Sequence, residues 1–140
     1  MIHNISWWKA PRPTNILVLN LLLFTDSTRK VIIGLSGGSL PKFLVAGMKT
    51  AVGKKVDWSK VTFIFCDERM VAFDDPESTF GLYMKMLKDT DIKEEQFLKV
   101  AVDSDVESAA KDYEDKLKAI MGDKPQADLL LLGKYLQTLF

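Results

Sequence analysis

From Lys30 onward, short apolar runs alternate with amphipathic segments, and this alternation restricts the fold more than any other feature of the sequence. Four runs are short, apolar and rich in branched side chains, which is typical of buried strands. They are Val31–Leu35, Val61–Phe65, Phe97–Val102 and Asp128–Gly133. Strands that alternate with helices predict an α/β fold, with a mostly parallel, Rossmann-like sheet joined by right-handed crossovers and flanked by helices.

Two of the segments between these runs predict helices with one apolar face. We expect the first helix to begin near Ser39, with Pro41 in its first turn and Gly53 just past its end. Its predicted inner face consists of Phe43, Leu44, Met48 and Val52. Pro76 and Ser78 precede the second helix. Its predicted inner face consists of Phe80, Tyr83, Met84 and Leu87.

A third helix carries signals at both of its ends. Ser104 and Glu107 have the spacing of a capping box, in which each side chain bonds to the backbone of the other residue. Apolar residues then recur at helical spacing from Val106 to Ile120, and Gly122 ends the helix. This helix should pack on the sheet through that apolar face.

Composition excludes several classes of protein. At 140 residues the chain has the length of one domain. Its 19 basic and 19 acidic residues cancel without a basic stripe, so we expect no nucleic-acid partner. One cysteine and one histidine, Cys66 and His3, cannot form a closed zinc site, so we expect no metal. We interpret Cys66 as a small buried side chain without a reactive role.

The apolar run Ile16–Phe24 near the start of the chain imitates part of a secretory signal. It is shorter than the about 20 residues that a membrane span needs, and no small-residue cleavage site follows it. We therefore interpret it as a core strand or helix, and we expect a cytoplasmic protein without a membrane partner.

Two strand ends carry the features that point to a ligand. Val31–Leu35 runs into the turn Ser36–Ser39, whose backbone N–H groups would face an anion at the start of a helix. Val61–Phe65 is followed within two residues by the charged segment Asp67–Arg69. Each feature alone has a structural reading, as a glycine turn or a solvated strand end. Together, at one edge of a parallel sheet, they predict a site for a small phosphorylated molecule.

Four stretches of the chain together resemble the 6-phosphogluconolactonases, within the wider glucosamine-phosphate isomerase/lactonase family. They are VIIGLSGGSLPKFL (31–44), VDWSKVTFIFCDERMVAFDDPESTFGLYMKMLK (56–88), SAAKDYEDKL (108–117) and ADLLLLG (127–133). The resemblance covers residues 29–133, as the N-terminal portion of such a domain. It leaves an unmatched head, 1–28, and an unmatched tail, 134–140.

The resemblance implies hydrolysis of 6-phospho-D-glucono-1,5-lactone to 6-phosphogluconate in the oxidative pentose phosphate pathway, without metal or organic cofactor. The implied lining of the phosphate-sugar pocket is Ser36, Gly37, Gly38 and Ser39. Asp67 and Arg69 would border the reacting lactone, and Ser78 and Thr79 would lie in the segment that closes over the sugar.

One departure from the family pattern concerns catalysis. In the family, the strand that matches ADLLLLG continues into a Gly-x-Asp-Gly-His segment whose histidine activates water. Here the sequence continues as Lys134–Phe140, without a histidine. We therefore expect an incomplete domain, in the form of a truncated or alternative product, with impaired lactone hydrolysis. We also expect self-association through an exposed sheet edge at Leu129–Leu132.

Two alternatives to a lactonase stay open from the sequence. One is a non-catalytic protein that binds a sugar phosphate or interacts with another subunit. The other is a sugar-phosphate isomerase or deaminase relative, which shares the sheet and the loop. Arg69 argues against it, because those relatives resemble a DEY or similar ending at this position.

Overall fold

The computed structural model describes residues 30–49, 56–122 and 126–132. Three strands of this part of the chain form a parallel sheet in the order β2-β1-β3. The strands are β1 (Val31–Leu35), β2 (Val61–Phe65) and β3 (Leu129–Leu131). The predicted parallel α/β fold is confirmed.

Strand β1 lies in the middle of this sheet, so it sets the register of the other two. It pairs along its whole length with β2, from Val31 opposite Val61 to Leu35 opposite Phe65. Its last three residues pair with β3, beginning with Ile33 opposite Leu129. Because all pairs are parallel, the carboxyl ends of β1 and β2 meet at one edge of the sheet.

Helices and short 3-10 turns connect the strands. The helices are α1 (Leu40–Met48), α2 (Thr79–Leu87) and α3 (Val106–Met121), and the turns are Trp58–Lys60 and Glu94–Gln96. Helix α2 begins where the Ser78 side chain accepts a hydrogen bond from the Gly81 N–H, at 3.0 Å. Helix α3 ends at Gly122, whose φ of 73° is in the left-handed region that glycine adopts without strain.

The predicted capping box of α3 is wrong by one position. Asp105 is the N-cap, and its carboxylate accepts a hydrogen bond from the Ser108 N–H at 3.0 Å. The Ser104 hydroxyl instead donates to the Ala101 carbonyl, at 2.8 Å, in the preceding turn. Both Ser and Asp can cap a helix. Because the Ser104 hydroxyl is bonded within the preceding turn, Asp105 supplies the cap.

The predicted strand Phe97–Val102 is reduced to a single bridge. Phe97 bridges to Phe63 of β2, and the Leu98 N–H donates to the Phe63 carbonyl at 2.8 Å. The Val102 N–H then donates to the Val100 carbonyl, at 3.0 Å, which turns the chain away from the sheet. The described sheet therefore has three strands where the sequence predicted four.

An aromatic cluster joins β2 to α2 and forms a large part of the core. The Phe63 and Phe97 rings stack with centroids 4.7 Å apart, and Phe80 meets Phe65 edge-on at 6.3 Å. Tyr83 packs against Phe65 at 6.2 Å. Because these rings are buried, they hold the start of α2 beside the end of β2.

The predicted helix faces are confirmed in part. In α2, Phe80, Tyr83 and Leu87 are buried and Met84 packs against the core, as the spacing predicts. In α1, Leu44 and Met48 are buried, but Phe43 is 57% exposed and Val45 takes its place in the core. Val52 and Gly53 lie outside the described residues.

Helix α3 contacts the sheet through few side chains. The predicted apolar positions Val106 and Ile120 are 66% and 40% exposed, whereas Ala109 is buried. Tyr113 reaches the outer edge of β2. Its hydroxyl accepts a hydrogen bond from the Phe65 N–H at 2.7 Å and donates to the Phe65 carbonyl at 3.2 Å.

No helix in the described ranges is long and apolar enough to cross a membrane. The run Ile16–Phe24 lies outside those ranges. At β3, Leu129 is buried, but Leu130 and Leu132 are 37% and 41% exposed.

Candidate functional site

The two strand ends singled out in the sequence lie together at one edge of the sheet. The N–H of Cys66, one residue past the end of β2, donates to the carbonyl of Leu35, the last residue of β1, at 2.7 Å. Just beyond this bond, the Gly37 N–H donates to Oδ1 of Asp67 at 2.9 Å. The structure therefore brings the Ser36–Ser39 turn and the Asp67–Arg69 segment into direct contact.

The Ser36–Ser39 turn leads directly into α1. Ser36 is buried, and Gly38 has a φ of 67°, a left-handed conformation that side chains with a Cβ rarely adopt. Ser39 is the N-cap, but its side chain accepts no capping hydrogen bond. The N–H groups at the start of a helix have no intrahelical partner, and the helix dipole adds positive potential there. The turn is thus equipped to bind an anion.

Glu68 is a site residue to which the sequence analysis assigned no role. Its carboxylate accepts three backbone hydrogen bonds, from the N–H groups of Arg69 at 2.8 Å, Thr79 at 2.7 Å and Phe80 at 2.8 Å. It therefore joins the end of β2 to the first turn of α2. One feature of the sequence could have indicated this role. The first turn of α2 contains no acidic residue, so its N–H groups need an acceptor from another part of the chain.

Ser78 and Thr79 are both buried at this edge. The Ser78 hydroxyl is engaged in capping α2, as described above. The Thr79 side chain lies against Gly37, where an added Cβ would be 2.8 Å from Thr79 Oγ1 and 3.3 Å from Asp67 Oδ1. Glycine at position 37 is therefore what permits the turn, Asp67 and the start of α2 to approach so closely.

Arg69 is exposed at the rim of this edge. No carboxylate among the described residues lies within ion-pair distance of its guanidinium, and only its backbone is bonded, through the N–H to Glu68 and the carbonyl to the Val71 N–H. Its fork of donors fits a carboxylate or phosphate oxygen pair. Arg69 thus offers a positive group on the same segment whose Asp67 contacts the Ser36–Ser39 turn.

Tyr83 and Cys66 both lie next to this site. The buried Tyr83 hydroxyl donates to the Ser36 carbonyl at 3.1 Å. Burial, together with the charges of Asp67 and Cys66, raises the pKa of Tyr83 far above its usual value, so the hydroxyl stays protonated.

Cys66 is exposed, which corrects the sequence interpretation of a buried residue. Desolvation of its sulfur and the charge of Asp67 raise the pKa of the thiol, which argues against a nucleophile.

No group of three His, Cys, Asp or Glu side chains in the described ranges is placed to hold a metal ion. A cavity of about 330 Å³ lies between the loop 73–76 and residues 81–85 of α2, and none of the predicted site residues lines it.

Known proteins similar to this chain are 6-phosphogluconolactonases. The human enzyme is 43% identical over 106 residues, which cover 72% of this chain and 41% of the human protein. The bovine enzyme is 39% identical over 140 residues, covering 92% of this chain and 54% of the bovine protein. The chain thus spans about half the length of the curated relatives it matches.

Solved structures agree on the fold. The 6-phosphogluconolactonase of Thermotoga maritima superposes with a TM-score of 0.67 at 20% identity, over 84% of this chain and 53% of that one. The Leishmania guyanensis enzyme gives 0.66 at 25% identity, over 89% and 58%. A family model described as "Glucosamine-6-phosphate isomerases/6-phosphogluconolactonase" matches residues 15–134. The chain therefore belongs to the glucosamine-6-phosphate isomerase/6-phosphogluconolactonase family.

Proposed function

We propose that this chain carries the sugar-phosphate-binding part of a 6-phosphogluconolactonase site, and that its substrate is 6-phospho-D-glucono-1,5-lactone. The observation that carries the proposal is the 2.9 Å hydrogen bond from the Gly37 N–H to Asp67. It joins an anion-binding turn to a segment with an exposed arginine. The reaction itself is taken from relatives that are about twice as long as this chain.

The phosphate group would bind at the start of α1. Because the Gly37 N–H is already bonded to Asp67, the N–H groups available to the phosphate are those of Gly38 and Ser39, with the Ser39 hydroxyl beside them. Charge-assisted hydrogen bonds of this kind contribute about 1.5–3 kcal/mol each. The helix dipole favours the same charge.

The lactone carbonyl would lie toward Asp67 and Arg69. Attack on this carbonyl places negative charge on its oxygen, and a guanidinium at hydrogen-bond distance stabilises that charge. Asp67 is held by its hydrogen bond from the Gly37 N–H, and Ser78 and Thr79 would close this side of the site. In this proposal, described residues would supply both substrate binding and stabilisation of the oxyanion.

Activation of water needs a general base, and none stands out at this edge. The described ranges contain no histidine. The carboxylate of Glu68 accepts hydrogen bonds from three backbone N–H groups, and Oδ1 of Asp67 accepts one from the Gly37 N–H. General-base assistance is typically worth about 10²–10⁴-fold in rate. We therefore propose that the 140-residue chain hydrolyses the lactone slowly.

The test follows 6-phosphogluconate formation from enzymatically generated lactone, with a coupled dehydrogenase and a control without the protein. We expect a rate close to that control, together with measurable binding of 6-phosphogluconate by calorimetry. Arg69→Ala should weaken the binding about tenfold or more, since one charge-assisted contact is lost. Lys93→Ala, which removes an exposed positive charge outside the site, should leave it unchanged.

Two outcomes would contradict this proposal. Hydrolysis well above the control that Arg69→Ala abolishes would show that the chain contains an effective base. Absence of 6-phosphogluconate binding would remove the sugar-phosphate site itself.

A second candidate function is a sugar-phosphate-binding protein without catalysis. It is favoured by the three backbone hydrogen bonds that engage the Glu68 carboxylate, and by the lack of a histidine in the described ranges. Binding of 6-phosphogluconate with no turnover of the lactone, even at high protein concentration, would select this function.

We further propose that the chain associates with a second copy of itself through the outer edge of β3. Within the described residues, β3 pairs only with β1, and the apolar side chains of Leu130 in β3 and Leu132 just after it are exposed. Unpaired strand edges with apolar side chains favour pairing with another chain. Light scattering should give a mass that rises with concentration, and Leu132→Lys should suppress the rise. A monodisperse monomer would contradict the proposal.

We propose the cytoplasm as the compartment of this protein. Its one cysteine, Cys66, is free and exposed, which suits a reducing environment. Cell fractionation tests this, and recovery in a secreted or membrane fraction would contradict it.

A further inference from the structure

The peptide unit between Ser36 and Gly37 is held at both of its ends. Its carbonyl oxygen accepts a hydrogen bond from the Tyr83 hydroxyl at 3.1 Å. Its N–H donates to Asp67 Oδ1 at 2.9 Å. In a trans peptide these two groups point in opposite directions, so the two bonds together fix the rotation of the peptide plane. This unit is the first of the anion-binding turn.

Tyr83 is well placed to fix this plane because its own position is rigid. Its side chain is 0% exposed. Its ring packs against Phe65 and Phe97, with centroid distances of 6.2 and 6.4 Å. Because packed rings hold this side chain in one position, its hydroxyl is fixed in space, whereas a side chain on the surface can move. Burial and the nearby charge of Asp67 raise the pKa of Tyr83, so the group stays a donor.

We infer that Tyr83 is a positioning residue for the proposed sugar-phosphate site. Its hydroxyl sets the orientation of the Ser36–Gly37 peptide, and through the Gly37 N–H it sets the orientation of the Asp67 carboxylate. It need not touch the ligand. The identity of the ligand rests on the proposed function, whereas the orientation of the peptide is a property of the free protein.

One consequence is that α2 and the phosphate-binding turn behave as a single unit. Tyr83 lies one turn beyond Thr79, which contacts Gly37 from the same helix. Glu68 holds the first turn of that helix to the end of β2. The segment expected to close over the sugar is therefore tied to the turn expected to bind the phosphate.

The variant Tyr83→Phe tests the inference, and Tyr113→Phe is its matched control. Both changes remove one buried or half-buried hydroxyl that bonds to the backbone of a strand or its end, and both keep the ring. Because phenylalanine keeps the ring of tyrosine, each variant should still pack in the same place. Of the two, only Tyr83 bonds to the Ser36–Ser39 turn. Because Tyr113→Phe loses two hydrogen bonds and Tyr83→Phe loses one, a general loss of stability should affect the control at least as much.

Calorimetry with 6-phosphogluconate gives the first readout. We expect Tyr83→Phe to weaken affinity about three- to tenfold, the equivalent of one neutral hydrogen bond used for orientation. Tyr113→Phe should stay within about twofold of the wild type. Equal affinities for the two variants would overturn the inference.

Amide hydrogen exchange of the free protein, followed by NMR, gives the second readout and needs no ligand. Tyr83→Phe should accelerate exchange of the Gly37 N–H and leave that of Phe65 unchanged, and Tyr113→Phe should do the reverse. If Tyr83→Phe leaves Gly37 exchange unchanged, the inference is wrong. If the wild type binds no 6-phosphogluconate but shows the crossed exchange pattern, the proposed function fails and the positioning role of Tyr83 stands.

Discussion

Replacing Glu68 by glutamine removes a charge that organises the candidate site while it keeps the shape of the side chain. In the structure, Oε1 of Glu68 accepts from the N–H groups of Arg69 and Thr79, and Oε2 accepts from the N–H of Phe80. A glutamine oxygen can take over the Oε1 contacts as a neutral acceptor. Its NH₂ group would then face the Phe80 N–H, donor against donor.

The expected loss of stability follows from these three hydrogen bonds. One hydrogen bond to a charged acceptor is lost, worth about 1.5–3 kcal/mol, and two others become weaker. The favourable interaction between the carboxylate and the start of α2 also disappears, at about 0.3–1 kcal/mol. We expect a loss of about 2–4 kcal/mol in the free energy of unfolding, or about 6–15 °C in Tm for a domain of this size.

Thermal unfolding followed by circular dichroism measures this loss at neutral pH. The control is Glu95→Gln, which removes the same charge from an exposed side chain for which the described residues offer no hydrogen bond or ion pair. Its Tm should stay within about 2 °C of the wild type. A Tm for Glu68→Gln that equals that of the control would refute the reasoning, because the three contacts would then contribute nothing.

Three further substitutions test other contacts. Gly37→Ala should cost about 1–3 kcal/mol in stability and weaken 6-phosphogluconate binding, because the new Cβ would lie 2.8 Å from Thr79 Oγ1; unchanged calorimetry would contradict this. Gly81→Ala should lower Tm although alanine favours helices, because its Cβ would collide with the Phe73 carbonyl; a raised Tm would show that the loop yields freely. Asp105→Asn should destabilise α3 at neutral pH. The pKa of Asp105 is lowered from 3.8 chiefly by its hydrogen bonds to Ser108, so its stabilisation is present above that value and is lost as pH falls through the folded pKa. Urea unfolding at pH 7 and pH 2 should show a difference from the wild type only at pH 7.

The sequence predicted the centre of the fold because local patterns and tertiary structure agree there. The runs Val31–Leu35 and Val61–Phe65 are apolar, branched and bounded by turn residues, and both form strands with those bounds. The contact between Gly37 and Asp67 then follows from topology, since parallel neighbouring strands end at the same edge.

Other features depend on contacts that no local pattern contains. The run Phe97–Val102 is as apolar as a strand, but only its first residues reach β2 before the chain turns. The role of Glu68 depends on N–H groups 11 and 12 residues further along the chain. Phe43 and Val45 of α1 exchange their expected positions, because the face of a short helix is set by the neighbour it packs against.

An NMR titration of the isotope-labelled chain with 6-phosphogluconate tests the central claim most directly, since it locates the ligand without requiring turnover. The account predicts that the amide signals of Gly38, Ser39 and Arg69 shift in a saturable way, whereas those of Val31 and Val61, at the opposite edge of the sheet, stay in place. Shifts confined to the cavity beside residues 81–85 of α2, or no saturable shift, would contradict it.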